Sequence, residues 1–414
     1  MRCGKKVIPM ARKPKRDLTL EEQLARGPID LPFLMLVLLL VGIGLVMLFS
    51  ASYATAYYDS SVGNDPLYYF KRQALFAAGG LAVMYVVSKI NYQTLRALSF
   101  PLLGGSIFLL LLIYTPFGVT INGVTRWLYV FLVAGPTFQP SEIAKVAVII
   151  FFAARLSKRD TEKKKKFTRR TNWGRFLNFL EKIGFLELVP YGVVLLIVLV
   201  LVVFEPHMSG TILIMVGAAA VLFVSGINLG WFIGLGGIAV LGLSIIIGFT
   251  DYMTRKMNLW LNPWDYPQEG GYQIIQSLLS IASGGFLGKG LGNSIQKFNY
   301  LPEPENDMIF SIVVEELGLL GGGLVLLLFA MLILRGYWLA LHARDKFGTL
   351  TVVGITTLLA AQVFLNIGVV TNLIPNTGIS LPFFSYGGTA LLIQLAQMGV
   401  ILSVSRQIPA PKKD

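Results

Sequence analysis

A run of acidic residues forms the best candidate for catalysis in this sequence. Glu303, Glu305 and Asp307 follow a proline and stand directly before an apolar stretch that begins at Met308. An acid in this position has two interpretations. Asp307 either interacts with the N-terminus of the following helix, or it acts as a general base. Partial desolvation at a membrane edge would raise the pKa of a carboxylate toward neutrality, which suits the second role.

Cationic residues suited to an anionic headgroup flank this acid run. They are Arg126 beside Trp127, and Arg255, Lys256 and Lys289 in a later loop. Lys289 lies in the turn Gly288-Lys289-Gly290-Leu291-Gly292, whose backbone N–H groups and lysine could approach a phosphate. The turn lacks the spacing of a P-loop. Such glycines are more often tight-turn residues, so both interpretations of this turn stay open.

Ionisable residues also occur within or beside apolar stretches, where a charge indicates a functional group or a pairing. They are Glu142 and Lys145, Glu205 and His207, and Glu315 and Glu316. Glu142 and Lys145 are three residues apart on one helix face, so they either neutralise each other or contact a substrate. Near the C-terminus, the segment 376–389, rich in Thr, Ser and Gly, predicts irregular backbone that is packed inside the protein or lines a cavity.

The composition of the chain places these residues in a membrane. Of 414 residues, 55% are apolar and only 14% charged, with a mean hydropathy of +0.68. These values argue against a soluble enzyme and against disorder. The net charge of +13 then favours a membrane surface over nucleic acid. A single cysteine and two distant histidines argue against a disulfide framework and against Cys- or His-based metal sites.

The apolar stretches predict an all-α polytopic membrane protein with ten transmembrane helices, since roughly 20 apolar residues span a bilayer. The ten lie near residues 31–53, 73–90, 98–116, 141–157, 186–204, 207–226, 229–249, 309–335, 349–371 and 382–405. The segment Gln273–Ala282 is apolar enough for a short re-entrant or interfacial helix.

The distribution of Lys and Arg predicts that both termini are cytoplasmic. It divides the chain into a basic tail (1–30), a ten-span membrane domain (31–405) and a tail (406–414). The membrane domain includes a basic cytoplasmic loop at 155–185 and an extracytoplasmic catalytic loop at 250–308 between spans 7 and 8. The basic loop is a topological anchor, because no aromatic platform for nucleic acid accompanies it. Lys71 and Arg72 fall on the outer side, against the rule.

These motifs together resemble the SEDS family of bacterial membrane proteins, which includes FtsW, RodA and SpoVE. The resemblance extends from about residue 30 to residue 405, and the Lys-Arg-Gln motif at 71–73 is most similar to FtsW and SpoVE. The matching segments are 71–73, 122–127, 139–145, 262–264, 271–277, 284–292, 301–310, 315–318 and 375–388. The chain departs from the family pattern at His207, where aspartate is common, and at Asn306, where threonine is usual.

The resemblance implies a peptidoglycan glycosyltransferase of the bacterial cytoplasmic membrane. It would polymerise lipid II at the outer face, in cell division, with Asp307 as the catalytic residue. The expected substrate-binding residues are Arg126, Lys145, Glu142, Arg255, Lys289, Gln273, Ser277, Glu303 and Ser385. A divalent cation bridging the pyrophosphate is compatible with this chemistry, although the sequence shows no clear ligand set.

The family resemblance also implies protein partners. We expect no soluble extracellular domain and therefore no peptide crosslinking by this chain, so a class B penicillin-binding protein would be the partner transpeptidase. Other divisome or elongasome membrane proteins are further expected partners, and nucleic acid is not. Two other functions remain: a flippase for a lipid-linked precursor, and a non-catalytic divisome scaffold. No clear inverted repeat supports the flippase.

Overall fold

Helices make up most of the computed structural model, which describes residues 27–121, 124–129, 137–158, 185–205, 207–227, 230–231, 234, 257–268, 271–298 and 300–408. The helices within these ranges are α1 (Leu31–Tyr58), α2 (Tyr68–Lys89), α3 (Gln93–Ala97), α4 (Ser99–Ile113), α5 (Pro140–Leu156), α6 (Phe185–Phe204), α7 (Met208–Val224), α8 (Gly271–Gly284), α9 (Ile309–Leu341), α10 (Lys346–Val370) and α11 (Gly388–Ser405). Short 3₁₀ turns occupy Ser60–Val62 and Pro263–Asp265.

Nine of the ten predicted spans coincide with helices, namely α1, α2, α4 to α7 and α9 to α11. The predicted span 229–249 lies almost entirely outside the described residues. Four helices, α1, α9, α10 and α11, are long and apolar enough to cross a bilayer by length and composition. The chain is therefore a membrane protein, while the count of ten spans stays a prediction. Helix α8 confirms that 273–282 is helical.

The prediction of an all-α protein was wrong for the segment between α4 and α5. An antiparallel sheet forms there from β1 (Gly118–Ile121), β2 (Val124–Tyr129) and β3 (Thr137–Phe138), in the order β1-β2-β3. Residues Ile121 and Val124 are paired. The β-branched and aromatic residues of β1 and β2 favour strands.

Close helix packing surrounds two buried helices, α5 and α10. Helix α11 makes its most extensive contact with α2, and α10 packs between α9 and α7. Small residues permit the closest approaches. A Cβ atom at Gly399 of α11 would lie 2.7 Å from the Met84 carbonyl oxygen of α2. This packing brings the N-terminal ends of α2, α5 and α11 together.

Helix α9 is broken at Gly318, where φ is 70° and ψ is −174°. The loop after α8 satisfies the backbone groups that the break releases. Leu319 and Leu320 donate N–H bonds to the carbonyls of residues 285 and 286, at 2.9 and 3.2 Å. Residues 289 and 290 donate to the carbonyls of Glu315 and Glu316, at 3.0 and 2.9 Å. A helix break inside lipid requires such internal partners, so the loop and the break form one unit.

We predict that Gly318→Ala destabilises the protein by at least about 2 kcal/mol, because the positive φ and the close approach both exclude a side chain. A Cβ atom there would lie 2.4 Å from the Gly288 nitrogen. Thermal unfolding in detergent measures the effect. Gly323→Ala, in the same helix with open space around its Cβ, is the control and should melt at or above the wild-type temperature. Equal melting of both variants would contradict the prediction.

Candidate functional site

A cavity of about 500 Å³ lies where the N-terminal ends of α2, α5 and α11 meet the acid turn, residues 303–307. A volume of this size is typical of small-molecule sites. Its lining combines four of the expected site residues with other residues, several of which belong to the segment 376–389. The expected four are Asp307, Glu303, Arg126 and Glu142, and the polar additions include Arg72, Asn306, Gln139, Thr137, Ser380, Tyr386 and Thr389.

Asp307 is held at the cavity wall by two amide side chains. The Gln273 Nε2 atom of α8 donates to its Oδ1 at 3.3 Å, and the Asn366 Nδ2 atom of α10 donates to its backbone carbonyl at 2.7 Å. Gln273 in turn accepts a 2.9 Å bond from Asn376. The residue that caps α9 is Met308, with no side-chain capping bond. The capping interpretation of Asp307 therefore gains no support.

Burial, together with the nearby negative charge of Glu303, raises the pKa of Asp307 to about 6, while hydrogen bonds from the backbone and from Gln273 oppose the shift. Glu305 in the same turn is 5% exposed, and its Oε2 atom has no hydrogen-bond partner among the described residues. Burial raises the pKa of Glu305 to about 7. The acid turn thus holds three mutually repelling carboxyl groups, of which Glu303 and Asp307 line the cavity. This arrangement suits a base that works near neutral pH.

Arg126 reaches the cavity from strand β2. Its Nε atom donates to the backbone carbonyl of Glu205, 2.9 Å away at the end of α6. The Glu205 side chain is 1% exposed, and neither carboxyl oxygen has a hydrogen-bond partner within the described part of the chain. Burial raises the pKa of Glu205 to about 8, although the Arg126 charge opposes this shift. Arg126 is therefore bonded to the backbone of residue 205 and not to its carboxyl group.

Arg72 brings a second guanidinium to the cavity, from the first turns of α2. Its Nη1 atom donates to the Tyr68 hydroxyl at 2.6 Å. In sequence terms Arg72 breaks the charge rule for the outer side. A role in binding an anionic ligand in this cavity would account for that exception, because such a charge is not a topological anchor. The sequence carried the signal, but Arg72 was not among the expected site residues.

Glu142 and Lys145 form the pair that their spacing allowed, with the lysine Nζ 2.7 Å from Oε1. Lys145 is 2% exposed and does not line the cavity, whereas Glu142 does. The structure thus supports the neutralising interpretation for Lys145 and leaves Glu142 in reach of a ligand.

Lys289 lies outside the cavity lining. Its Nζ atom is 2.7 Å from the Glu315 Oε1 atom, and Lys297 makes a matching 2.9 Å pair with Glu316. The glycines at 288, 290 and 292 have positive φ, and the N–H groups of residues 289 and 290 donate to α9 carbonyls. These contacts favour the tight-turn interpretation over a phosphate site.

Two further expected residues, both serines, do not line the cavity. The Ser277 Oγ atom donates to the Val370 carbonyl at 2.9 Å. The Ser385 Oγ atom accepts the backbone N–H of Leu381 at 2.7 Å. Both serines therefore stabilise backbone, and Arg255 lies outside the described residues. Asn366 and Gln139 were missed by sequence reasoning, because a single amide side chain gives no pattern that distinguishes it.

No group of three His, Cys, Asp or Glu residues in the described ranges is arranged to hold a metal ion. The acid turn illustrates why. Its three carboxyl groups are adjacent in sequence, but Glu305 is buried in the protein while Asp307 and Glu303 line the cavity. We therefore derive no step through a divalent cation.

The model of the FtsW/RodA/SpoVE family of cell cycle proteins matches residues 31–409. The chain belongs to this family. Stage V sporulation protein E of Bacillus subtilis is 41% identical over 379 residues, covering 91% of this chain and 97% of that protein. The probable peptidoglycan glycosyltransferase FtsW of Geobacter sulfurreducens is 39% identical over 380 residues, covering 92% and 95%.

Solved structures of this family share the fold. One chain from a study of how a peptidoglycan synthase complex coordinates polymerization and crosslinking aligns with a TM-score of 0.72 and 26% identity, covering 93% of this chain and 99% of its own. The rod shape determining protein RodA of Thermus thermophilus aligns with a TM-score of 0.62 and 26% identity, covering 92% and 98%. Both matches extend over nearly the whole length of this chain.

We predict that Lys289→Met lowers the free energy of unfolding by about 1–3 kcal/mol, because it leaves the fully buried Glu315 carboxylate without its cation. Thermal unfolding in detergent measures the loss. Lys71→Met is the matched control, since it breaks an ion pair with Asp65 whose side chains are 60% and 38% exposed. That variant should change stability by no more than about 1 kcal/mol. A Lys289→Met protein as stable as the control would show that the cluster tolerates an unpaired charge.

Proposed function

We propose that this chain is a peptidoglycan glycosyltransferase that polymerises lipid II into glycan strands. The observation that carries the proposal is Asp307, a carboxyl group with a raised pKa on the wall of a cavity that also holds two guanidinium groups. Relatives named probable peptidoglycan glycosyltransferase FtsW support the same activity.

Asp307 acts as the general base. The acceptor's GlcNAc 4-hydroxyl is hardly ionised at neutral pH, so it needs a base in order to attack C1 of the donor's MurNAc. Asp307 takes the hydroxyl proton while the new glycosidic bond forms and undecaprenyl pyrophosphate leaves with the electrons of the broken C1–O bond. Attack from the side opposite the leaving group inverts the anomeric centre. Gln273, bonded to Oδ1, orients the carboxylate for this step.

Arg126 and Arg72 supply the positive charge that the pyrophosphates require. The leaving group is already a stabilised anion, so it needs cations more than a general acid. This requirement explains how one essential carboxylate suffices, whereas glycosidases with poorer leaving groups use two. Arg126, held by the Glu205 carbonyl, is the candidate for the donor pyrophosphate. Glu142 and Glu303 line the same cavity and are candidates for hydrogen bonds to the saccharides.

The cavity opens at the extracytoplasmic side of the membrane in this proposal, with ten spans, cytoplasmic termini and a catalytic loop at 250–308. The ends of the helices support one common side. Arg72 lies in the first turns of α2 and Glu142 in the first turn of α5, Asp307 precedes α9 and residue 388 begins α11. The opposite helix ends, such as Leu31 of α1 and Leu156 of α5, adjoin the basic sequences 1–30 and 155–185, which the positive-inside rule assigns to the cytoplasm.

A class B penicillin-binding protein is the proposed partner transpeptidase, in a division complex with other membrane proteins. Support comes from the structural neighbour that belongs to a peptidoglycan synthase complex and from relatives named FtsW. A flippase or a passive scaffold needs no base in a one-sided cavity, so the same experiments separate these functions from polymerisation.

We predict that Asp307→Asn reduces glycan polymerisation from purified lipid II by about 10²–10⁴-fold, because the amide cannot accept the hydroxyl proton. Gel analysis of the glycan products, with and without the partner, measures the loss. Binding of lipid II and the melting temperature should stay near the wild-type values.

Asp65→Asn is the matched control, because its exposed carboxylate lies outside the cavity lining and pairs with Lys71. That variant should polymerise normally. Full polymerisation by Asp307→Asn would refute the assignment of the base, and absence of polymer from wild-type protein would favour the flippase or the scaffold.

We predict that kcat/KM rises with pH through an inflection near 6, because Asp307 must lose its proton to act as base and its folded pKa is raised to about 6. Glu303→Gln should move the inflection to lower pH, because it removes a negative charge that raises the pKa of Asp307. Initial rates of polymerisation between pH 4.5 and 8, a range of about 3.5 units around that value, measure both profiles. An unmoved inflection in Glu303→Gln would assign the titration to another group.

A further inference from the structure

Gln139 and His207 form a hydrogen-bonded pair at the edge of the cavity that the mechanism above does not use. Gln139 precedes α5 and lines the cavity. Its Nε2 atom lies 3.1 Å from the His207 Nδ1 atom, and the Ser141 Oγ atom lies 3.2 Å from the same nitrogen. Ser141 is fully buried. The imidazole therefore meets two polar groups at one ring nitrogen.

The donor types fix the state of the ring. The Gln139 Nε2 atom lies 3.1 Å from Nδ1 and 3.5 Å from Nε2 of His207. An amide nitrogen can only donate, so the ring nitrogen that accepts from it carries no proton and the imidazole is neutral.

Close packing fixes the position of the ring as well. A Cβ atom at Gly210 would lie 2.4 Å from the Nδ1 atom of His207, so the ring rests directly on the first turn of α7. The His207 carbonyl accepts the backbone N–H of Thr211 at 3.2 Å. An imidazole held in this way keeps one position beside the Gln139 amide.

The orientation of the Gln139 carboxamide determines which of its polar atoms faces the cavity. Because Nε2 is bound to His207, the carboxamide oxygen is the end of the group that stays available. That oxygen has no hydrogen-bond partner among the described residues. The charged residues around the cavity suit phosphates, whereas a neutral acceptor oxygen suits a neutral donor such as a sugar hydroxyl or an acetamido N–H.

We propose that Gln139 is a specificity-determining residue, whose carboxamide oxygen accepts a hydrogen bond from a hydroxyl or acetamido N–H of the bound saccharide, and that His207 is its positioning residue. This inference rests on the proposed function, because the saccharide is that of a lipid-linked substrate.

Removal of the acceptor tests Gln139. Gln139→Met keeps the length of the side chain but loses the hydrogen bond, so KM for lipid II should rise about 3- to 10-fold while kcat changes less. The Kd for lipid II, measured on the inactive Asp307→Asn background, should rise by the same factor. A KM and a Kd within twofold of the parent proteins would overturn the role of Gln139.

Substitution of the ring tests His207. His207→Asn places an acceptor oxygen near the position of Nδ1 and should keep the wild-type KM, whereas His207→Leu should raise KM as Gln139→Met does. The double variant Gln139→Met/His207→Leu should have the same KM as Gln139→Met alone, because both changes remove the same interaction. A purely structural histidine would instead lower the melting temperature of His207→Leu and leave the KM of the folded protein unchanged. That result would overturn the positioning role.

Substrate analogues identify the donor group. Lipid II with its acetamido groups replaced by hydroxyls, and lipid II lacking single sugar hydroxyls, are compared between wild type and Gln139→Met. An analogue that lacks the donor group should bind wild type and Gln139→Met with equal affinity. An analogue that keeps the donor group should still bind wild type more tightly. If every analogue keeps the wild-type preference, the inference is overturned even though polymerisation itself stands. If wild type binds lipid II without polymerising it, only the proposed function fails.

Discussion

The cavity depends on the amide of Asn366, which joins two segments that are distant in sequence. Its Nδ2 atom donates to the Asp307 carbonyl at 2.7 Å and to the Ile379 carbonyl at 2.6 Å, and the side chain is fully buried. Such bonds replace water for backbone groups that would otherwise be unpaired inside the protein. Asn366 of the central helix α10 thereby holds both the acid turn and the loop that contains Ile379. The position of the base, Asp307, depends on these bonds.

Electrostatics in the site follows from how each charge is buried. Lys145, Lys289 and Lys297 each have a carboxylate partner, and these pairs stabilise helices and the glycine loop. Asp307 instead carries a raised pKa. The cavity therefore combines a carboxyl group that is easily protonated with guanidinium groups that keep their charge. The lysine pairs thus maintain the fold, whereas Asp307 lies on the cavity wall.

Much of the fold could be predicted from sequence, because apolar runs report helices directly and an i, i+3 spacing reports the pair of Glu142 and Lys145. Asp307 could be predicted as a site residue for a similar reason, since an acid before a span is a local pattern. The partner of Lys289 could not be predicted, because Glu315 is 26 residues away and their contact depends on the break in α9. The sheet was not predicted, because its strands are short and no apolar run indicates them.

The two glycines that face each other at the break in α9 restrict how this gene can change. A Cβ atom at Gly288 would lie 2.2 Å from the Glu316 carbonyl oxygen, and one at Gly318 would lie 2.4 Å from the Gly288 nitrogen. Every other encoded amino acid carries that carbon, so no missense codon at either position avoids the collision. At a core position, substitution of a neighbouring side chain can compensate for a change in size. At Gly288 and Gly318 two backbones are in direct contact, so a second-site suppressor would have to shift a main chain.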